Sequence, residues 1–168
     1  MKQLIGSILV LASVSFFSFS AKAETCIVEF QAPSHLKSSV RGRLGLKKKT
    51  QYREAQLAFY ISQIKKSSCY RASLIASECP VGRDDLELQM YREALNTCDV
   101  EMRAEAKTKY KDPKKAEDEV GVLFAARTAC NEEHDTQLDQ LLCQIDLSVE
   151  QIQKLNPASV SAKDLQKH

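Results

Sequence analysis

The sequence predicts an all-α fold: a disulfide-stapled bundle of three or four antiparallel helices behind a short extended N-terminal segment. Three observations carry that prediction. Apolar residues recur at spacings of three and four through most of positions 50–155. Proline and glycine interrupt the pattern cleanly at Cys79-Pro80-Val81-Gly82, and proline again at Lys111-Asp112-Pro113. Six cysteines, an even number, all fall after position 25.

Residues 1–23 read as a secretory signal: Met1-Lys2, an apolar run from Leu4 to Phe19, and an Ala-x-Ala cleavage site ending at Ala23. A spanning helix needs about 20 strongly apolar residues. This run is shorter, is interrupted by serines and lacks a stop-transfer flank. Glu24-Thr25 before Cys26 puts an acid where a lipid-attachment motif wants a small residue. The expected product is periplasmic or secreted, without a stable membrane anchor. Cleavage leaves about 145 residues, enough for one domain with its own core.

Residues 24–49 read as an extended or looped N-terminal segment. Thr25 to Gln31 alternates and is β-branched, which predicts a short extended stretch ending at Ala32-Pro33. Ser34 to Lys49 is irregular, with Gly42 and Gly45, and reads as loop with room for one helical turn.

The helical domain covers 50–155. Helix one is expected from Thr50 to Ser77, burying Leu57, Ile61, Ile64, Ala72 and Ile75 and ending at Pro80 and Gly82. Asp84 then reads as an N-cap with Glu87 completing a capping box. Helix two follows from Asp85 to Tyr110 with Leu88, Tyr91, Leu95, Cys98 and Met102 on one face. Asp112 caps helix three, and Pro113 sits in its first turn, where a missing N–H costs nothing. Its stripe is Ala116, Val120, Leu123, Ala126 and Cys130, and Gly121 weakens it by about 1 kcal/mol relative to Ala. Helix four, Thr136 to Leu155, presents Leu138, Leu142, Ile145, Val149 and Ile152. Between helices three and four, residues 131–135 contain neither Gly nor Pro, so a turn and one continuous helix both remain open. Residues 156–168 read as a flexible tail.

In an exported chain an even cysteine count argues for disulfides. The gaps of 42, 9, 18, 31 and 12 residues do not match zinc-ligand spacings, and a catalytic thiol would normally leave an odd cysteine. Antiparallel helices joined by a short turn bring together residues equidistant from it. Cys69 with Cys98 is centred on the Gly82–Asp84 turn, and Cys130 with Cys143 on Thr136–Gln137. That leaves Cys26 with Cys79. Cys98 with Cys130 is also centred on a turn, at Lys114, and stays open as a rival among the fifteen connectivities that six cysteines allow.

The charge is divided along the chain. Glu24 to Ile75 carries ten Lys/Arg against three Asp/Glu, a net of +7; Ala76 to His168 carries twelve against nineteen, a net of −7. Arg41, Arg43, Lys47, Lys48 and Lys49 form a candidate basic patch, read chiefly as a solvated loop, with contact to anionic lipid or wall polymer as the sharper alternative. A neutral sum and the absence of Trp argue against a nucleic-acid partner. Glu132, Glu133 and Asp135 form a candidate partner-binding cluster between two cysteines.

Ala55-Gln56-Leu57-Ala58-Phe59 running toward Cys69, Phe124 to Cys130, and Asp85-Leu86 with Tyr91 to Leu95 together resemble the lysozyme inhibitor LprI-like family of exported bacterial helical domains. The chain departs from that pattern in having no Trp, no Arg-Asp pair before either cysteine and no Gly-rich stretch between cysteines, and Cys69 falls two residues late. The resemblance implies a lysozyme-binding or wall-associated protein. An acidic loop would steer such a cationic partner by long-range attraction.

No catalytic, metal or cofactor motif stands in the chain. His35, His134 and His168 have no ligand partner at useful spacing, and adjacent residues such as Glu133-His134-Asp135 diverge on a helix. The expectation is a non-enzymatic binding protein, possible inhibition included, without cofactor. The alternatives are a structural or assembly protein of the envelope and a secreted effector that binds a host or prey protein. Phe59, Leu74 and Leu147, outside the expected buried faces, would favour assembly if exposed.

Overall fold

A computed structural model describes residues 26–37 and 45–158. The segment expected to be a signal sequence (1–23), Arg41 and Arg43, and most of the tail lie outside these residues. The described chain is all-helical: α1 (Ser34–Lys37), α2 (Leu46–Ile64), α3 (Cys69–Glu78), α4 (Asp84–Lys109), α5 (Pro113–Glu133) and α6 (Gln137–Leu155). The long helix α4 is the axle of the bundle, packing against α2, α3, α5 and α6, while α3 also touches α6. Its inward residues Met90, Ala94, Cys98, Met102 and Ala106 are fully buried.

Helix one of the sequence reading is two helices. The chain breaks at Lys65–Ser68, where Ser68 turns extended and its hydroxyl accepts from the Arg71 amide. The break is stitched from α4: the Thr97 hydroxyl donates to the Ile64 carbonyl at 3.5 Å, and the Glu101 carboxylate accepts from the Cys69 amide. Both orphaned helix ends thus find partners on one neighbouring helix. The predicted stripe survives, with Leu57, Ile64, Ala72 and Ile75 buried and Ile61 half-buried.

Other boundaries shift by less. Helix α4 starts at Asp84, with Arg83 as the N-cap and no side-chain cap; Glu87 instead accepts from the Gly82 amide at 3.0 Å. Gly82 has φ +72°, a conformation that side-chain-bearing residues rarely adopt. Leu88 and Leu95 are only half-buried, because Leu86, Met90 and Ala94 take the inward face. Asp112 caps α5 by accepting from the Lys114 amide at 3.0 Å, with Pro113 at its start, as the sequence predicts.

Among the described residues the N-terminal segment forms no strand. Cys26 to Gln31 is irregular, and its apolar residues Ile27, Val28 and Phe30 pack on the core. Phe30 lies 5.5 Å from the Tyr52 ring and 5.6 Å from that of Phe59. Phe59 and Leu147 therefore pack against the core, and Leu74 is half-buried. Lys47, Lys48 and Lys49 sit in the first turn of α2, where a loop was expected.

Three disulfides join Cys26 to Cys79, Cys69 to Cys98 and Cys130 to Cys143, with Cα separations of 4.6, 4.4 and 5.8 Å. The first ties the irregular segment to the end of α3. The others clamp the α3–α4 and α5–α6 hairpins. Cross-links of this kind fit an oxidising compartment. Among the described residues no helix is long and apolar enough to cross a membrane.

Candidate functional site

The α5–α6 corner is where the structure gathers the acidic residues singled out in the sequence. Helix α5 ends at Glu133, and residues 131–135 form its last turn and a short reversal, not a continuous helix. Thr136 caps α6 by accepting from the Asp139 amide at 3.1 Å. The Gln140 side-chain amide donates to the His134 carbonyl at 2.8 Å, and that of Gln144 donates to the Asn131 side chain at 2.8 Å. Side chains of α6 thus satisfy the end of α5, which is why the turn needs neither glycine nor proline.

Glu132, Glu133 and Asp135 are exposed on this turn. On the adjoining face His134, Asp139, Leu142, Cys143, Asp146, Leu147 and Glu150 line a shallow concavity of about 360 Å³. Its three carboxylates lie along one face of α6, and the predicted three are not in its lining. Among the described residues neither Asp139 nor Asp146 has a cation within ion-pair distance, and Glu150 meets only the exposed Lys154 at 3.9 Å. Burial, and secondarily the neighbouring Glu150, pushes the Asp146 carboxyl above the ordinary aspartate range. Like charge crowded without compensation is what a cationic partner would relieve.

What orients the corner is a residue the sequence reading passed over. Ala126 was placed in the α5 stripe but is exposed; its neighbour Arg127 is turned inward and only 7% exposed. Its guanidinium lies 2.6 Å from Asp99 of α4, bonds the Ser148 hydroxyl of α6 and sits 5.0 Å from the Phe124 ring centroid. Nε has no hydrogen-bond partner, so the Asp99 contact is an ion pair without fork geometry. The α6 seam is rotated to match: Leu141, Ile145, Ser148, Ile152 and Leu155 are buried, whereas Leu138 is exposed and Leu142 and Val149 are half-buried. That rotation delivers Leu142, Asp146 and Leu147 to the concavity. A buried arginine one position off an Ala-rich stripe leaves no periodic signal; the paired Asp99 and Ser148 become visible only in three dimensions.

The described basic candidates are not part of this corner. Lys47, Lys48 and Lys49 are exposed on α2, which packs on α3 and α4. Among the described residues no group of three His, Cys, Asp or Glu side chains is arranged to hold a metal ion. Searches of family models, curated proteins and solved structures found nothing that matches this chain.

Proposed function

We propose that this chain is an exported, non-enzymatic binding protein that receives a cationic protein partner on its acidic α5–α6 corner, with a lysozyme-type wall hydrolase as the partner class. The observation that carries this reading is the acidic corner itself: a concavity lined by Asp139, Asp146 and Glu150 with Leu142 and Leu147, with Glu132, Glu133 and Asp135 exposed on the adjoining turn of a hairpin bridged by Cys130–Cys143. Apolar ground inside an acidic rim offers both steering and burial. A cross-linked scaffold lowers the ordering cost of association. The resemblance of Ala55–Phe59 and Phe124–Cys130 to the lysozyme inhibitor family supports the same partner.

A turbidity assay of wall lysis by lysozyme tests the inhibitory reading, which fails if a large molar excess of the protein leaves lysis untouched. Binding is measured in parallel. Exchanging Glu132, Glu133 and Asp146 for Gln, Gln and Asn is expected to weaken it at least about tenfold at low salt, mainly through the association rate. Unchanged affinity would remove the corner as the site.

A further inference from the structure

We propose that a second surface, the furrow between the C-terminal half of α4 and the N-terminal half of α5, binds a single-chain amphiphile with a phosphate head. It shares no residue with the acidic corner and does not depend on the function assigned there. The furrow has a volume of about 470 Å³, within the usual range of small-molecule sites, roughly 300–1,000 Å³. Its floor is apolar, built from Tyr110, Val120 and Phe124. Its edge is cationic: Arg103 and Lys107 lie one turn apart on α4, and Lys111 lies just past its end.

None of these three cations has a carboxylate within ion-pair distance among the described residues. Arg103 instead lies over the Phe124 ring at 4.9 Å. Glu117 is the one acid lining the furrow, so three cations less one anion leave +2. A phosphate monoester carries roughly −1.5 to −2 at neutral pH, whereas a carboxylate offers a single charge. The charge left over therefore matches phosphate better.

Gly121 gives an independent indication of an occupant. It lies mid-helix in α5 without positive φ, and a Cβ built there would meet nothing within 4 Å. Neither backbone conformation nor packing requires glycine at this position, although glycine weakens a helix interior. What the missing side chain does is leave the furrow wall bare, so that an alkyl chain can lie against the backbone.

The test uses the full chain purified with its disulfides formed, and calorimetric titration with dodecyl phosphate below its micelle concentration. Laurate, inorganic phosphate and dodecyltrimethylammonium are titrated alongside. Dodecyl phosphate is expected to bind at least about tenfold tighter than laurate at pH 7.5, with no measurable binding of inorganic phosphate or the cationic amphiphile. Its affinity should fall as pH drops through about 6, where the head loses its second charge. Gly121→Leu, whose Cβ would meet nothing within 4 Å, and Lys107→Glu on the exposed edge should each cut affinity at least about tenfold while the melting temperature stays within a few degrees of the parent's. Equal binding of laurate or of the cationic amphiphile, or full affinity in a folded Gly121→Leu variant, would overturn the proposal.

Discussion

The α3–α4 and α5–α6 hairpins are each clamped by one disulfide, yet their interiors are chemically different. Between α3 and α4 lie Cys69, Ala72, Ile75, Met90, Ala94 and Cys98, an unbroken apolar contact at essentially zero exposure. Where α5 and α6 meet α4, the contact includes Arg127 and Ser148, with Asp99 as counter-ion. Apolar contacts tolerate volume-conserving exchange. A buried charge tolerates neither the loss of its partner nor a rotation of the helix that carries it. The interior of the first hairpin therefore meets by apolar packing, with its disulfide and the Glu101 bond to the Cys69 amide at the edge. The second is also set in register by charge, which turns its carboxylates outward to a common face.

The largest expected effect comes from opening the two clamps. In the chain-entropy account, Cys69→Ala with Cys98→Ala should cost about 3.5 kcal/mol and Cys130→Ala with Cys143→Ala about 3 kcal/mol, because the second loop is shorter. Denaturant unfolding of both double variants gives the ordering. A larger loss at Cys130–Cys143 would mean that the charged interior leans on that bridge, and the difference between the hairpins would be greater than drawn here.

Next in size is Arg127→Ala, expected to cost about 3 kcal/mol, at the low end for a buried pair because Asp99 is partly exposed. Adding Asp99→Asn to Arg127→Ala should recover part of that loss, since no unpaired charge would remain. Thermal melts of single and double variants read the coupling directly. Strict additivity would show that the ion pair does not set the register of α5 and α6.

The smallest effect is at Asp146, and its sign follows from linkage. Burial raises the folded-state pKa above the unfolded one, so the folded chain holds this proton to higher pH. Asp146 then costs no stability below its unfolded pKa and opposes the fold as pH rises through the raised value. Asp146→Asn should therefore stabilise the protein slightly at neutral pH, with the gain vanishing in acid, while weakening capture of a cationic partner. A destabilised variant at neutral pH would show that Asp146 has an attractive partner and that the concavity is not electrostatically frustrated.

Much of this was legible in the linear chain, for reasons that differ between elements. The termination at Pro80–Gly82 and the Asp112–Pro113 start are local chemistry, and the structure has both where the residues place them. Two of the favoured cysteine pairs follow from hairpin midpoints and Cys26–Cys79 is what remains; the structure joins all three and not the rival Cys98–Cys130. The break at Lys65–Ser68 was not legible, because Ser67-Ser68 is a weak stop and the groups that stabilise it, Thr97 and Glu101, lie some thirty residues away. In the α6 seam Ile145 and Ile152 are buried as expected, but Leu142 and Val149 are one position away from the buried Leu141 and Ser148, for a related reason. Leu138 and Leu142 look as apolar as Leu141, and only Arg127 bonding Ser148 decides between the two faces.

By itself, then, the sequence determined helix content, most boundaries, a favoured set of cysteine pairs and the three acids of the turn, since each rests on spacing or on residues next to one another. Tertiary structure decided where helix one breaks, which way α6 faces, and that Asp139, Asp146 and Glu150 line one concavity next to the turn that carries those acids. Those outcomes depend on pairing a buried charge and satisfying helix ends across helices, and such energies exist only once distant residues meet.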